Sequence, residues 1–146
     1  MQLTGYTTFL RRLDDEDLKL IIVKDGRTVF LSNKDGMFPL LEAIEKVDPS
    51  RLAGSTIIDK MVGKAAALLI CFLKAEKVYT KIMSLKAVKV MENHSIVYSA
   101  EKTIPEILNK FGTDICPFEK SVSDIDDPNE AYEKLRELAR KMNPSC

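Results

Sequence analysis

The spacing of apolar and polar positions changes several times along the chain, and each change marks an element. Phe9, Leu10 and Leu13 recur at helical spacing, which predicts a short amphipathic helix over Tyr6–Leu13. In "LKLIIVKDGRTVFLS" two β-rich runs, Leu18–Lys24 and Arg27–Ser32, flank Asp25-Gly26, the pair that a two-residue type I′ turn prefers; this predicts a hairpin. Leu40, Leu41, Ile44 and Val47 form one stripe of a helix over Phe38–Val47. Pro49, which biases Asp48 away from the α region, and Gly54 end it.

From Ile57 to Ala75 the chain is almost continuously apolar and predicts a second, more hydrophobic helix, with Thr56 and Asp59 at capping-box spacing. Lys77–Met83 alternates around Val78 and Ile82 as a strand. Leu85, Val88 and Met91 give a helix, and Ser95–Ala100 reads as another strand. Pro105 is placed to open a short helix, "PEILNKF", that stops at Gly112, before a loop "TDICPFEKSVSDIDDP". Asp127-Pro128 then opens a terminal helix with Ala131, Leu135, Leu138 and Met142 on its inner face, and the acidic residues around its start suit the helix dipole. A hairpin followed by helix, helix, strand, helix, strand predicts a mixed sheet between helices, a three-layer α/β/α domain of the α/β class. Its strand–helix–strand unit, Lys77–Ala100, is expected to be a right-handed parallel crossover. The expected organisation is one domain over residues 1–146, with a core at about 14–122 and a C-terminal helix at about 128–142.

Composition narrows the function classes. A chain of 146 residues can bury roughly two-thirds of its unfolded surface in one core. Lys plus Arg and Asp plus Glu are 22 each, so no net field draws the chain to nucleic acid or an anionic membrane, and no basic run with interleaved aromatics appears. Ala65–Leu73, the longest apolar run, is half a membrane span, and the start of the chain has no sustained apolar core of a signal peptide. Cys71, Cys116 and Cys146 are odd in number and widely spaced, which points to reduced thiols and a cytoplasmic setting.

The stretch that asks for explanation is "DKMVGKAAALLICF", where Gly63 and Lys64 precede three alanines inside the apolar run. On a helix, Lys60, Lys64, Ala67, Cys71 and Lys74 share one stripe poor in large apolar side chains. Two readings are open. Lys64 points to water from that stripe, or it lines a cleft with a depressed pKa or an anion partner, Gly63 letting a ligand near the backbone. A phosphate-binding Walker loop does not fit, because it needs Gly at 58 and Ser or Thr at 65, where Ile58 and Ala65 stand.

The order of elements, with "DKMVGKAAALLICF" and "ILNKFGTDICPFEKSV", resembles an uncharacterised prokaryotic family with a cytidine-deaminase-like fold, over about residues 14–122. Zinc deaminases carry a His/Cys-x-Glu signature on one helix and Pro-Cys-x-x-Cys at the start of the next. The resemblance places these near Gly63–Ala66 and Met83–Ala87, where no cysteine, histidine or carboxylate stands, and His94 is followed by Ser95 and Ile96. The reading therefore assigns no metal and no cofactor.

In "GTDICPFEK" Gly112 allows a turn and Pro117 stiffens the chain after Cys116. Folded over the start of the central helix, this loop brings Cys116 beside Lys64, whose ammonium would lower the thiol pKa and make a nucleophile. The bland counterpart is a small buried hydrophobe. Asp114 and Glu119 are placed to orient a ligand or exchange protons. Asp59 is open between a helix cap and a partner for Lys60 or Lys64, and Cys71 and His94 read as packing and surface or helix-capping positions. Ser84 and Ser121 have no histidine partner, so a serine triad is not indicated. The function expected is a zinc-independent domain that binds a small anionic or nucleotide-like metabolite, with catalysis by Cys116 and Lys64 open and Asp59, Gly63, Asp114 and Glu119 as further ligand contacts. The rival is a non-enzymatic homodimer burying the Lys60–Lys64–Ala67–Cys71 stripe.

Overall fold

The chain is described here from a computed structural model, covering the backbone of residues 3–142 and side chains from residue 7 on. Helix α1 (Leu3–Asp15) leads into the hairpin of β1 (Leu20–Lys24) and β2 (Arg27–Ser32). Asp25 and Gly26 have φ of 51° and 78°, both in the left-handed region that a type I′ turn requires, as the sequence predicts. Then come α2 (Phe38–Lys46), the single turn α3 (Pro49–Leu52), β3 (Thr56–Val62), α4 (Lys64–Phe72), β4 (Lys77–Ser84), α5 (Leu85–Asn93), β5 (Val97–Ile104), α6 (Pro117–Ser121) and α7 (Pro128–Lys141).

The five strands form one sheet in the order β2-β1-β3-β4-β5. β1 runs antiparallel to β2 and β3, whereas β3, β4 and β5 are parallel. Leu10 and Leu13 of α1 pack with Ile21, Val23 and Ile58 on one face. The main core fills the other, where α4 is buried and α2, α5 and α7 pack around it. The mixed sheet with helices on both sides is the expected α/β/α arrangement.

Two predicted elements are corrected. Residues 57–75 are not one helix: Thr56–Val62 is the central strand and Lys64–Phe72 the helix. Consecutive apolar residues such as Ile57 and Ile58, buried on opposite faces of a strand, read like a stretch of buried helix, and pairing with β1 and β4 decides for the strand. Thr56 and Asp59 are therefore strand residues and no capping box, and the Lys60–Lys64–Ala67–Cys71–Lys74 stripe does not exist as a face; Ala67 is wholly buried. The helix expected from Pro105 is absent as well. Asn109 Oδ1 instead accepts the backbone N–H groups of Phe111 and Thr113, and Leu108 bridges to Ile115 in a tight loop. Within the expected loop after it, Pro117–Ser121 forms α6.

Candidate functional site

Parallel strands β3 and β4 each run straight into a helix, so their C-terminal ends lie beside the N-termini of α4 and α5. In sheets of this kind ligands bind outside the carboxyl ends of the strands. The loop and short helix from Pro105 to Ser123 close over this edge. Phe118, fully buried, anchors α6 against Phe38 of α2 with ring centroids 6.3 Å apart. That anchor aims Glu119 at the start of α4. Its Oε1 accepts the Lys64 N–H at 2.9 Å and its Oε2 the Ala65 N–H at 2.7 Å, so one carboxylate satisfies two orphan amides at the positive end of the helix. Burial pushes the Glu119 carboxyl above its ordinary range, against the pull of these two amides.

This explains Gly63. Its φ of −100° is open to any residue, so conformation is not the reason. A Cβ there would stand 2.6 Å from Glu119 Oε1 and 2.7 Å from both Glu119 Cδ and Ile107 Cγ1. Glycine is needed for the room that the carboxylate takes.

Lys64 is 9% exposed. Its Nζ donates to the Ser123 carbonyl oxygen at 3.1 Å and pairs with Asp126 at 3.2 Å, so it neither points freely to water nor meets Cys116 in any of these contacts. It lines a cavity of about 230 Å³ with Ser84, Lys86, Glu106, Glu119 and Lys120. On the other side of Gly63 and Glu119 lies a second cavity, of about 190 Å³, that holds Asp59, Gly63, Cys116 and Glu119 together with Lys19 and Asp35. Glu119 and Ile107 are common to both. Asp114 is exposed, pairs with Lys120, and is held below the ordinary carboxylate range by that hydrogen bond and by the Ile115 N–H.

The structure thus brings five of the six sequence-nominated residues onto the walls of these two cavities and leaves Asp114 outside them, tied to Lys120. Cys116 is 2% exposed and disulfide-bonded, so it offers no thiolate, contrary to the nucleophile expected of it. Cys71 is half-buried, and burial pushes its thiol up to about 12. Asp59 lies on the main-core side of β3, in register with Leu20 of β1 and Thr80 of β4. Burial pushes its carboxyl up to about 7, although the Met61 and Lys60 amides favour the charged form. Sequence reasoning missed Lys86, Lys120 and Lys19. A serine before the helical run from Leu85 was a readable N-cap, and would have put Lys86 at a helix start beside the sheet end; Lys120 had no such mark.

A family model, TM1506, Domain of unknown function (DUF1893), matches residues 9–139. The chain belongs to the DUF1893 family. A DUF1893 family protein (TM1506) from Thermotoga maritima, known from a 2.70 Å crystal structure, is 34% identical and matches with a TM-score of 0.82 over 97% of this chain and 92% of that one. RibD of Acinetobacter baumannii is 11% identical, with a TM-score of 0.54 over 68% of this chain and 36% of RibD. That second likeness is one of fold, and the chain spans about a third of RibD. No curated protein matches the chain.

In this DUF1893 chain the stretches where the deaminase resemblance places zinc signatures, Gly63–Ala66 and Met83–Ala87, are the starts of α4 and α5. Both starts are satisfied by the protein's own oxygens: Glu119 on α4, and on α5 the Ser84 Oγ, which accepts the Ala87 N–H at 3.1 Å. Among the described residues, no group of three or more His, Cys, Asp or Glu is placed to hold a metal ion. Nor is any described helix long and apolar enough to cross a membrane.

Proposed function

We propose that this chain is a single deaminase-like domain that binds a small anionic metabolite in the lysine-lined cavity at the ends of β3 and β4. The observation that carries this reading is the convergence of Lys64, Lys86 and Lys120 on a cavity of about 230 Å³ whose wall includes Ser84, 1% exposed. Three ammonium groups face two carboxylates there, Glu106 and Glu119, and Glu119 is already held by two amides. The outer partners of the lysines are exposed: Asp126 on Lys64, Glu106 on Lys86 and Asp114 on Lys120. The pairs of Lys86 and Lys120, exposed on both sides, contribute about 0–1 kcal/mol, so an incoming oxyanion exchanges for them at little cost. The cavity is below the 300–1,000 Å³ of drug-sized sites, which fits a small ligand.

Catalysis by Cys116 forms no part of this reading, because its sulfur is buried and bonded. The homodimer reading loses the stripe that motivated it.

Titration with inorganic phosphate, followed by amide NMR shifts, tests the anion site. Millimolar phosphate is expected to move the Ser84, Lys86 and Lys120 signals, while chloride at equal ionic strength does not. Lys86→Ala and Lys120→Ala, both at half-exposed positions, should each weaken binding several-fold with the fold intact. Equal binding in the Lys86→Ala/Lys120→Ala double variant would remove the site.

A further inference from the structure

The second cavity poses the opposite electrostatic problem. Asp59 stands on the core side of the central strand, between Ile57 and Met61, where strand alternation calls for an apolar side chain. Its charged form is met by the amides of Lys60 and Met61 on its own strand, and among the described residues no cation pairs with it. The titratable groups around it are Lys19 before β1, Asp35 before α2, Lys60 on β3 and Glu119 on α6; the bonded Cys116 sulfur does not titrate. Lys19 is paired with Asp35 at 3.4 Å. The Lys60 ammonium pairs with Asp14 of α1 at 3.6 Å, on the other face of the sheet. Glu119 is committed to the amides of α4. The cavity therefore presents an uncompensated carboxyl, with Met37, Pro39, Met61 and Ile107 as apolar walls.

A half-buried carboxyl in an apolar-walled cavity without a counter-charge is costly when ionised, and a local departure from strand patterning is what a functional position looks like. We propose that the Asp59 cavity is a binding site for a small organic cation, a primary amine or a protonated nitrogen base, whose charge Asp59 neutralises. The apolar walls take the carbon skeleton. Asp59 titrates near neutral pH while empty, so a cation that binds its charged form releases a proton. This inference concerns the other cavity and stands apart from the anion reading.

The test uses n-butylammonium as probe, with n-butanol and butyrate as neutral and anionic counterparts, on the full chain. Shifts of the Asp59 carboxyl carbon and of the Asp59–Gly63 amides report occupancy. Butylammonium is expected to bind about tenfold more tightly at pH 8 than at pH 6, as the ionised fraction of a group titrating near 7 rises. Saturation should move the Asp59 midpoint down from about 7. Asp59→Asn should lose at least tenfold in affinity and all pH dependence, yet keep phosphate binding; conversely Lys86→Ala should weaken phosphate several-fold and keep the amine. Equal binding of butanol, preference for butyrate, a flat pH profile in the wild type, or no binding at tens of millimolar would each overturn the proposal. The wild-type profile needs no variant, so a misfolded Asp59→Asn chain would not leave the question open.

Discussion

The two strand–helix units at the centre of the molecule, β3–α4 and β4–α5, are laid out in parallel and in register, and they solve the same problems differently. Asp59 of β3 lies opposite Thr80 of β4, and Val62 opposite Met83, so Gly63 and Ser84 follow at equivalent junctions. In the second unit the helix cap is local. Thr80, fully buried, donates its hydroxyl to the Ile82 carbonyl at 3.1 Å, and Ser84 caps its own helix. In the first unit the cap is not local. Asp59 faces a cavity, Gly63 contributes no side chain to the cap, and the cap comes from Glu119, 55 residues from Lys64. The unit that borrows its cap holds the unpaired charge and touches both cavities, whereas the self-capped unit lines only the lysine-walled one.

The sharpest way to break that comparison is to make Asp59 resemble its neighbour. A raised carboxyl pKa means that the native state holds a proton the unfolded chain has lost between about 4 and 7, so stability falls as pH rises through that window and is level above it. Asp59→Asn removes this slope. Wild type and variant should differ by an amount that widens by up to about 4 kcal/mol from pH 4 to pH 7 and then stays constant, measured by urea unfolding at several pH values. A difference that is the same at every pH would mean that Asp59 is ionised as freely in the fold as outside it.

Gly63→Ala comes next. The added methyl group meets Glu119 and Ile107 inside 3 Å, and the carboxylate cannot swing away without releasing both α4 amides. Overpacking of this kind costs about 3 kcal/mol. Glu119→Ala should cost about 2 kcal/mol through the two stranded amides. The double variant should fall well short of the sum, because removing the carboxylate makes room for the methyl group. Full additivity in the double-mutant cycle would show that Gly63 is there for another reason.

The same contrast explains what could be read from the sequence. The hairpin was legible because Asp25-Gly26 and its flanking alternation are local facts, as were the strand Lys77–Ser84 and the helix after it. β3 was illegible because Ile57 and Ile58, on opposite faces, are both buried, so the period of two that identifies a strand never shows, and Ile57–Val62 merges with the buried α4 that follows. Gly63 and Lys64 stood out as odd, yet the reason for the glycine lies in Glu119, which only the fold brings near. Asp59 drew notice as a helix cap when it is a strand residue. Five nominated residues met around two cavities even so, since chemistry-bearing residues inside apolar runs are conspicuous whatever element holds them.

The smallest effect tests whether the two junctions are independent. Ser84→Ala leaves the Ala87 amide without its acceptor at a buried helix start, which costs about 1 kcal/mol. Ser84 and Glu119 line one cavity but cap different helices, so Ser84→Ala and Glu119→Ala should add to within about 0.5 kcal/mol in chemical denaturation. Phosphate binding gives the second readout. The Ser84 hydroxyl still has a proton to donate while its oxygen accepts from Ala87, so its loss should weaken phosphate a few-fold beyond any change in stability. Non-additive stabilities would make the two caps one coupled structure, and the cavity between them a packing seam. Additive stabilities with weakened phosphate would leave two separate helix starts and, between them, a place kept for an anion.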